Sequence, residues 1–238
     1  MFGNFGSLKS IFKIHRFNSK FDKNDRKSKI VLCVPSTLIY YFTKMIKSSH
    51  VLIGAQNCHY EKHDGPYTGS VSASMLKSAG AKYIILGHSE NRSQGDNNYL
   101  LKKKIESSLT QKLNVIYCIG ESYKEKIKGK TLMVIKRQIT ESIDKKFDLN
   151  KIIIAYEPVW SIGTGKIPKT EELKKIFKFI KKIYKKRFKT NKTPKTLYGG
   201  SVNEKNISLF SSISEIDGFL IGGASQSPKK FIDIIKKY

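Results

Sequence analysis

Short runs of β-branched and other apolar residues alternate along the chain with longer segments whose apolar residues recur every three or four positions. The short runs are typical of buried parallel strands, and the longer segments are typical of helices with one apolar face. The predicted strands cover residues 29–34, 51–55, 83–86, 115–119, 152–155, 196–198 and 218–221. The predicted helices cover residues 35–47, 71–78, 98–109, 132–143 and 170–188, with a short helix after Asn203 and a last one from Pro228.

The longest predicted helix, residues 170–188, shows this pattern most clearly. Thr170 is its candidate N-terminal cap, and Glu171 and Glu172 favour the positive end of the helix dipole. Its apolar residues repeat at helical spacing, namely Leu173, Ile176, Phe177, Ile180, Ile183 and Tyr184. The intervening lysines fall on the opposite face, so we expect this helix to lie on the outside of a sheet.

Strand and helix patterns pair seven times, and a strand over residues 2–5 with a helix over residues 7–17 makes an eighth pair. Strict alternation predicts a parallel sheet, and eight units predict closure into a single α/β (β/α)8 barrel. An open, doubly wound sheet is the alternative, but no G-x-G-x-x-G sequence follows the first strand. The chain has no Pro/Ser-rich linker and no internal repeat, so residues 1–238 are predicted to form one domain.

The composition is strongly basic, with 45 Lys and Arg against 19 Asp and Glu and a formal net charge of +26. Such a charge attracts nucleic acid or a compact anionic substrate. The lysines are spread through the helical segments and do not alternate with aromatic residues, which favours a solvated basic surface over nucleic-acid binding. No apolar stretch approaches the length of a membrane span, and no signal peptide is evident, so no membrane association is expected.

Cysteine usage indicates the cellular compartment. Cys33, Cys58 and Cys118 are odd in number and show no C-x-x-C spacing. Cys33 and Cys118 lie in predicted strands, which suits buried thiols in a reducing cytoplasm.

Candidate catalytic groups stand where predicted strands end. Glu157 follows the run 152–156 and precedes Pro158, which stops the strand, and a glycine-containing loop leads to the next helix. His88 follows the run 83–86 between Gly87 and Ser89. Reactive groups of parallel barrels cluster at the carboxyl ends of strands, so Glu157 is a candidate base and His88 its partner. A serine-hydrolase elbow, G-x-S-x-G, is disfavoured because Asn91 occupies the last position.

Two glycine pairs end the last two predicted strands, at Gly199-Gly200 before Ser201 and at Gly222-Gly223. Glycine lets backbone N–H groups approach a ligand closely, and the start of a following helix favours an anion. The last two strands of this architecture commonly hold a phosphate, so together the pairs predict a phosphate cradle.

Two other signals are incomplete. The sequence Gly163-Thr164-Gly165-Lys166 resembles part of a P-loop, but Trp160 replaces its first glycine and Ile167 replaces the Ser/Thr. His59 and His63 beside Cys58 suggest zinc, but the order is wrong for H-E-x-x-H and a turn follows. We therefore predict neither a metal nor any other cofactor.

A carboxylate, a histidine, a phosphate cradle and a loop with hinge-like glycines describe proton transfer next to a carbonyl group. At these positions the chain resembles the triosephosphate isomerase family over nearly its whole length. The resemblance is carried by residues 54–57, 65–69, 86–92, 155–166, 198–202 and 222–223.

The resemblance implies a glycolytic and gluconeogenic isomerase that interconverts dihydroxyacetone phosphate and glyceraldehyde 3-phosphate. In the established mechanism of that family, Glu157 would abstract the proton and neutral His88 would polarise the carbonyl. A lid over residues 158–166 would close on the intermediate. The other matches are Asn4, Gly163, Ser201, Gly222 and Gly223 for substrate binding, Glu90 and Arg92 for support, and Thr68 for the loop that docks into the partner of a homodimer.

The N-terminus departs from the family pattern, which reads Asn, an aromatic residue, Lys, Met, Asn and Gly. Here Asn4 and Phe5 are followed directly by Gly6, so the lysine that places positive charge beside the reacting oxygens is missing. Three functions therefore remain open. They are an active isomerase, a catalytically impaired barrel that binds triose phosphate or a partner, and a basic nucleic-acid-binding protein.

Overall fold

The computed structural model describes residues 29–46 and 51–238, together with Lys13. Seven strands are present in this part of the chain. They are β1 Ile30–Val34, β2 Val51–Ala55, β3 Tyr83–Leu86, β4 Asn114–Ile119, β5 Ile152–Tyr156, β6 Lys195–Tyr198 and β7 Gly218–Phe219. The predicted strand over residues 2–5 and helix over residues 7–17 lie outside the described residues.

The seven strands form one sheet in the order β1 to β7, and every neighbouring pair is parallel. Chain order with parallel pairing is the arrangement that a (β/α)8 barrel requires. At the carboxyl edge Ile119 pairs with Tyr156 and Tyr156 with Tyr198, so the loops after β4, β5 and β6 begin at the same level.

Helices connect the strands. They are α1 Ser36–Met45, α2 Ala73–Ser78, α3 Ser89–Ser93, α4 Asn98–Thr110, α5 Tyr123–Ile127, α6 Thr131–Ser142, α7 Thr170–Phe188, α8 Ile207–Ser211 and α9 Pro228–Lys237, with short 3-10 turns at Leu149–Lys151, Val159–Ser161 and Gly223–Gln226. None of the described helices combines the length and the apolar character needed to cross a membrane.

Most predicted elements are confirmed to within two or three residues. The last strand is shorter than predicted, although Leu220 N–H still donates to the Tyr198 carbonyl at 3.0 Å. The prediction missed α3 and α5. A capping box starts α5, because the Ser122 and Glu125 side chains each accept from the other residue's backbone N–H, and this was a readable signal.

The prediction that Thr170 caps α7 is wrong. Lys169 has an extended backbone and occupies the cap position, so Thr170 is already helical and no side chain caps this end. The predicted apolar face is confirmed, since Leu173, Ile176, Phe177 and others on it are buried.

Strands β4 and β5 are buried on both faces over most of their length, which explains why their sequences show apolar runs and no alternation. In β4, Val115, Tyr117 and Ile119 join a large core cluster between sheet and helices. Ile116 and Cys118 point the other way and pack with Ala155 of β5 in a second cluster on the opposite face of the sheet. The large cluster includes residues from Ile30 to Ile234. That the whole chain forms a single domain remains a prediction.

Candidate active site

Glu157 continues strand β5 by one residue and lies at the carboxyl edge of the sheet. Its N–H donates to the Ile119 carbonyl at 2.8 Å, which extends the β4–β5 ladder. The next residue, Pro158, has no N–H to continue the ladder, and the chain turns into the 3-10 segment Val159–Ser161. Glu157 is only 3% exposed, so the strand places a carboxylate inside the protein.

Glycines on both neighbouring strands make room for Glu157. A Cβ at Gly120, after β4, would lie 1.9 Å from the Glu157 carbonyl oxygen, and a Cβ at Gly199, after β6, would lie 2.6 Å from Glu157 Cγ. Gln138 of α6 holds Gly120 in place, because its side-chain amide accepts from Gly120 N–H at 2.9 Å and donates to Gly120 C=O at 3.0 Å. Sequence reasoning missed Gly120 and Gln138 as residues that shape the site.

His88 lies at the end of β3 and faces Glu157. Its Nε2 is 3.6 Å from Glu157 Oε1. Its Nδ1 accepts a hydrogen bond from Glu90 N–H at 3.3 Å, so in the neutral ring the proton is on Nε2 and is directed to the Glu157 side. The structure therefore brings the two predicted catalytic residues together and selects the His88 tautomer.

Burial shifts the pKa values of both groups towards their neutral forms. Burial raises the pKa of Glu157 to about 8, and the Cys118 thiol and the Arg92 guanidinium only partly offset this effect. Oxygen Oε2 of Glu157 is buried without a hydrogen-bond partner among the described residues. The pKa of His88 is lowered, again mainly by burial, with Glu90 acting in the opposite direction. A neutral imidazole beside a carboxylate that binds protons strongly is suited to proton transfer.

Arg92 joins the carboxyl ends of β3 and β4 through hydrogen bonds. It donates from Nε to the Gly87 carbonyl at 2.8 Å and from Nη2 to the Cys118 carbonyl at 3.2 Å and the Tyr117 hydroxyl at 3.1 Å. Nη1 donates to Asn98 at 3.0 Å. Glu90, the other predicted supporting residue, is exposed and acts on His88 through its backbone N–H and its charge.

The predicted phosphate cradle lies at the ends of β6 and β7. Gly222 and Gly223 are exposed, and a Cβ on either would meet nothing within 4 Å. The Ser201 hydroxyl donates to the Ser161 carbonyl, and its N–H donates to Ser161 Oγ at 3.4 Å. Ser201 thus contacts the base of the loop 158–166.

The loop 158–166, which we call the lid, has a fixed base and an open tip. Ser161 Oγ donates to the Lys166 carbonyl at 2.5 Å and so ties the ends of the tip together. Gly163 and Gly165 have positive φ, are exposed, and have open space where a Cβ would point. Trp160 Nε1 donates at 2.8 Å to Oε1 of the fully buried Glu121, which also accepts from the Tyr156 hydroxyl. Sequence reasoning did not find Glu121 or Ser161.

Other predicted positions lie elsewhere. Asn4 lies outside the described residues. Thr68 is exposed in the loop between β2 and α2. In the weak zinc pattern, Cys58 is buried with its sulfur 3.6 Å from Ser108 Oγ, and His59 stacks on Tyr60. Residues 29–46 and 51–238 contain no group of three or more His, Cys, Asp or Glu side chains placed to hold a metal ion.

The comparisons with known proteins agree with this geometry. The family model for triosephosphate isomerase matches residues 1–238. The triosephosphate isomerase of Dictyoglomus thermophilum is 41% identical over 222 residues, which are 91% of this chain and 89% of that protein. The triosephosphate isomerase of Zygosaccharomyces bailii is 42% identical over 98% of this chain and 93% of its own length.

A solved structure supports the same assignment and confirms the barrel fold. The crystal structure of triosephosphate isomerase from Bartonella henselae has a TM-score of 0.89 and 33% identity, covering 99% of this chain and 94% of that one. A buried carboxylate beside a neutral histidine at the carboxyl edge of the sheet is thus found in a chain that matches one family throughout. The chain belongs to the triosephosphate isomerase family.

Proposed function

We propose that this protein interconverts dihydroxyacetone phosphate and glyceraldehyde 3-phosphate. The observation that carries the proposal is the pair formed by Glu157 and His88, with 3.6 Å between carboxylate oxygen and ring nitrogen. The direction of both pKa shifts suits a base and an electrophile that act near neutral pH.

In the proposed reaction, ionised Glu157 removes the proton from the carbon next to the substrate carbonyl. His88 Nε2–H stabilises the negative charge that develops on the carbonyl oxygen and transfers its proton to that oxygen, so that an enediol forms and His88 is left as the imidazolate. His88 Nε2 then takes the proton from the other enediol hydroxyl while Glu157 returns its proton to the former carbonyl carbon. Both side chains regain their starting states, and two hydrogens have moved between adjacent carbons. No group outside the substrate is oxidised or reduced.

We assign substrate binding to Asn4, Ser201, Gly222 and Gly223, with Gly163 reaching the phosphate when the lid closes. Glycine at these positions supports close approach of backbone N–H groups to an anion. Glu90 and Arg92 support the pair, Arg92 through its contacts to the ends of β3 and β4. The net charge of +26 favours capture of a doubly charged phosphate ester.

The missing lysine after Phe5 favours a second candidate, an impaired barrel that binds the triose phosphate with little turnover. Loss of one preorganised charge at a reacting oxygen typically costs about 3–4 kcal/mol, which is about 100- to 1000-fold in rate. The segment that is missing after Phe5 also affects how the chain would assemble with a second copy. We propose a homodimer formed through the loop around Thr68, and a cytoplasmic location as for a glycolytic enzyme.

The test is a coupled assay in which the purified chain converts glyceraldehyde 3-phosphate to dihydroxyacetone phosphate. The Glu157→Gln variant is measured beside it as the control. We expect turnover above that of the variant. A second variant with Lys-Met-Asn inserted between Phe5 and Gly6 should be about 100- to 1000-fold faster if the missing charge is the only defect. If neither the wild-type chain nor the insertion variant turns over faster than Glu157→Gln, the enzyme proposal is refuted. Binding of 2-phosphoglycolate without turnover would favour the impaired barrel.

A further inference from the structure

The short helix α5, Tyr123–Ile127, contacts both ends of the lid through two cation–π contacts that run in opposite directions. Lys126 Nζ of the helix lies 3.9 Å from the centroid of a Trp160 ring in the lid. Lys166 Nζ of the lid lies 5.9 Å from the centroid of the Tyr123 ring in the helix. Trp160 and Lys166 stand on either side of the lid tip, so one helix touches the lid on both sides of the tip.

The helix is itself held in place. Its capping box, Ser122 with Glu125, closes its first turn. Lys126 also forms an ion pair with Glu172 of α7, with 2.5 Å between Nζ and Oε1. The Lys126 ammonium is therefore fixed between α7 and the face of Trp160. Because the edge of the same indole is bonded to Glu121, Trp160 is restrained on its face and on its edge.

These contacts belong to an open lid. Residues 163–167 are all exposed, and Gly163 and Gly165 have no neighbour within 4 Å of a Cβ position. Gly222 and Gly223 likewise have no neighbour within 4 Å of a Cβ position, so the tip does not cover them here, and the contact of Gly163 with a bound phosphate under the proposed function requires the tip to move. Trp160 and Lys166 belong to the lid, so we expect their contacts with α5 to weaken when the lid closes. A contact that is made only with the open lid shifts the population towards the open state.

We propose that α5 is a platform that holds the lid open, with Lys126 and Tyr123 as the positioning residues that set how often the lid closes. The inference rests on the proposed function for what the lid closes over. A partly exposed cation–π contact accounts for about two- to five-fold in a population ratio. Removing either contact is therefore expected to tighten the binding of a ligand that needs the closed lid by about that factor.

Trp160 is the only tryptophan of the chain, so its fluorescence reports on the lid directly. The variants are Lys126→Met, which keeps an unbranched apolar stem without the charge, and Tyr123→Leu. We measure acrylamide quenching of Trp160 in the free protein and the dissociation constant of 2-phosphoglycolate by titration. We expect both variants to bind the inhibitor about two- to five-fold more tightly, and Lys126→Met to raise the quenching. Simple damage to the fold would weaken binding instead.

Two matched controls separate the lid from the general effect of each change. Tyr99 is an exposed tyrosine with Lys103 5.3 Å from its ring centroid, far along the chain from the lid, so Tyr99→Leu removes a comparable contact elsewhere. Glu171 is next to Glu172 but forms its ion pair with Lys174 on the same helix, so Glu171→Gln removes a charge without touching α5. We expect both controls to match the wild-type protein.

The variant Glu172→Gln distinguishes an effect of the electrostatic field on inhibitor binding from an effect on the lid. Lys126→Met removes a positive charge near an anionic ligand, whereas Glu172→Gln removes a negative one, so a pure field effect has opposite signs in the two variants. Lys126→Met removes the cation, and Glu172→Gln removes the ion pair that positions it on Trp160, so we expect both variants to loosen this contact. Tighter binding in both therefore supports the platform, and opposite changes refute it.

Unchanged or weaker inhibitor binding in both Lys126→Met and Tyr123→Leu would overturn the proposal, as would unchanged quenching of Trp160 in Lys126→Met. If the wild-type protein does not bind 2-phosphoglycolate at all, the phosphate site of the proposed function has failed. Quenching of the free protein then still decides whether Lys126 restrains Trp160, because that measurement needs no ligand.

Discussion

Replacing Glu157 by glutamine is expected to stabilise the folded protein at alkaline pH, although it removes the proposed base. Glu157 is 3% exposed, and burial raises its pKa from 4.5 to about 8. Between these two values the folded chain keeps a proton that the unfolded chain has lost. The free energy of unfolding therefore falls as the pH rises, by up to about 1.4 kcal/mol for each pH unit.

The magnitude follows from the width of this pH interval. A pKa change from 4.5 to about 8 spans 3.5 pH units, so the full loss of stability is about 5 kcal/mol once the pH exceeds 8. Glutamine has a similar shape and does not ionise, so it escapes the loss. Wild type and Glu157→Gln should therefore differ by a small constant at pH 4 and by about 5 kcal/mol more than that at pH 9.

The assay is urea unfolding followed by circular dichroism at one-unit steps from pH 4 to pH 9. Glu171→Gln is the matched control, because Glu171 is exposed and Lys174 lowers its pKa, so its loss should not produce a gain in stability at high pH. Groups that do not contact residue 157 titrate alike in wild type and variant and cancel in the difference. A difference between wild type and Glu157→Gln that stays constant with pH would refute the assignment of a buried, proton-retaining carboxylate.

Three further outcomes are expected. Gly120→Ala should destabilise the fold by about 3 kcal/mol or more and abolish inhibitor binding, since the new Cβ would lie 1.9 Å from the Glu157 carbonyl oxygen; urea unfolding and a binding titration check this. Arg92→Lys should cost about 2–4 kcal/mol, since a single ammonium cannot replace a guanidinium bonded to four acceptors; near-wild-type unfolding would contradict it. The thiols of Cys58 and Cys118, whose pKa values are raised by burial, should react with a disulfide reagent at pH 8 only after unfolding, so fast reaction of the native protein would contradict their burial.

Much of the fold and the centre of the site were readable from local patterns. Apolar runs and helical periodicity located the strands and the larger helices, because these patterns reflect which faces are buried. Parallel strands bring their carboxyl ends to one edge, so Glu157 and His88 were expected to meet, and they do. Helices α3 and α5 were missed, since five residues show no periodic pattern and the capping box that starts α5 was overlooked.

The chemical properties of the site depend on contacts between groups that are far apart in the chain. The raised pKa of Glu157 comes from burial by neighbouring strands, and no local pattern contains that desolvation. No local sequence signal distinguishes Gly120 from other glycines, and only the packing of β5 places the Glu157 carbonyl oxygen against it. Lys126 was one lysine among many, and only the packing of α5 against the lid and α7 put its ammonium on Trp160. Sequence periodicity records which residues face inwards, whereas the distances between strands and helices arise only when the chain has packed, and those distances decide the electrostatics.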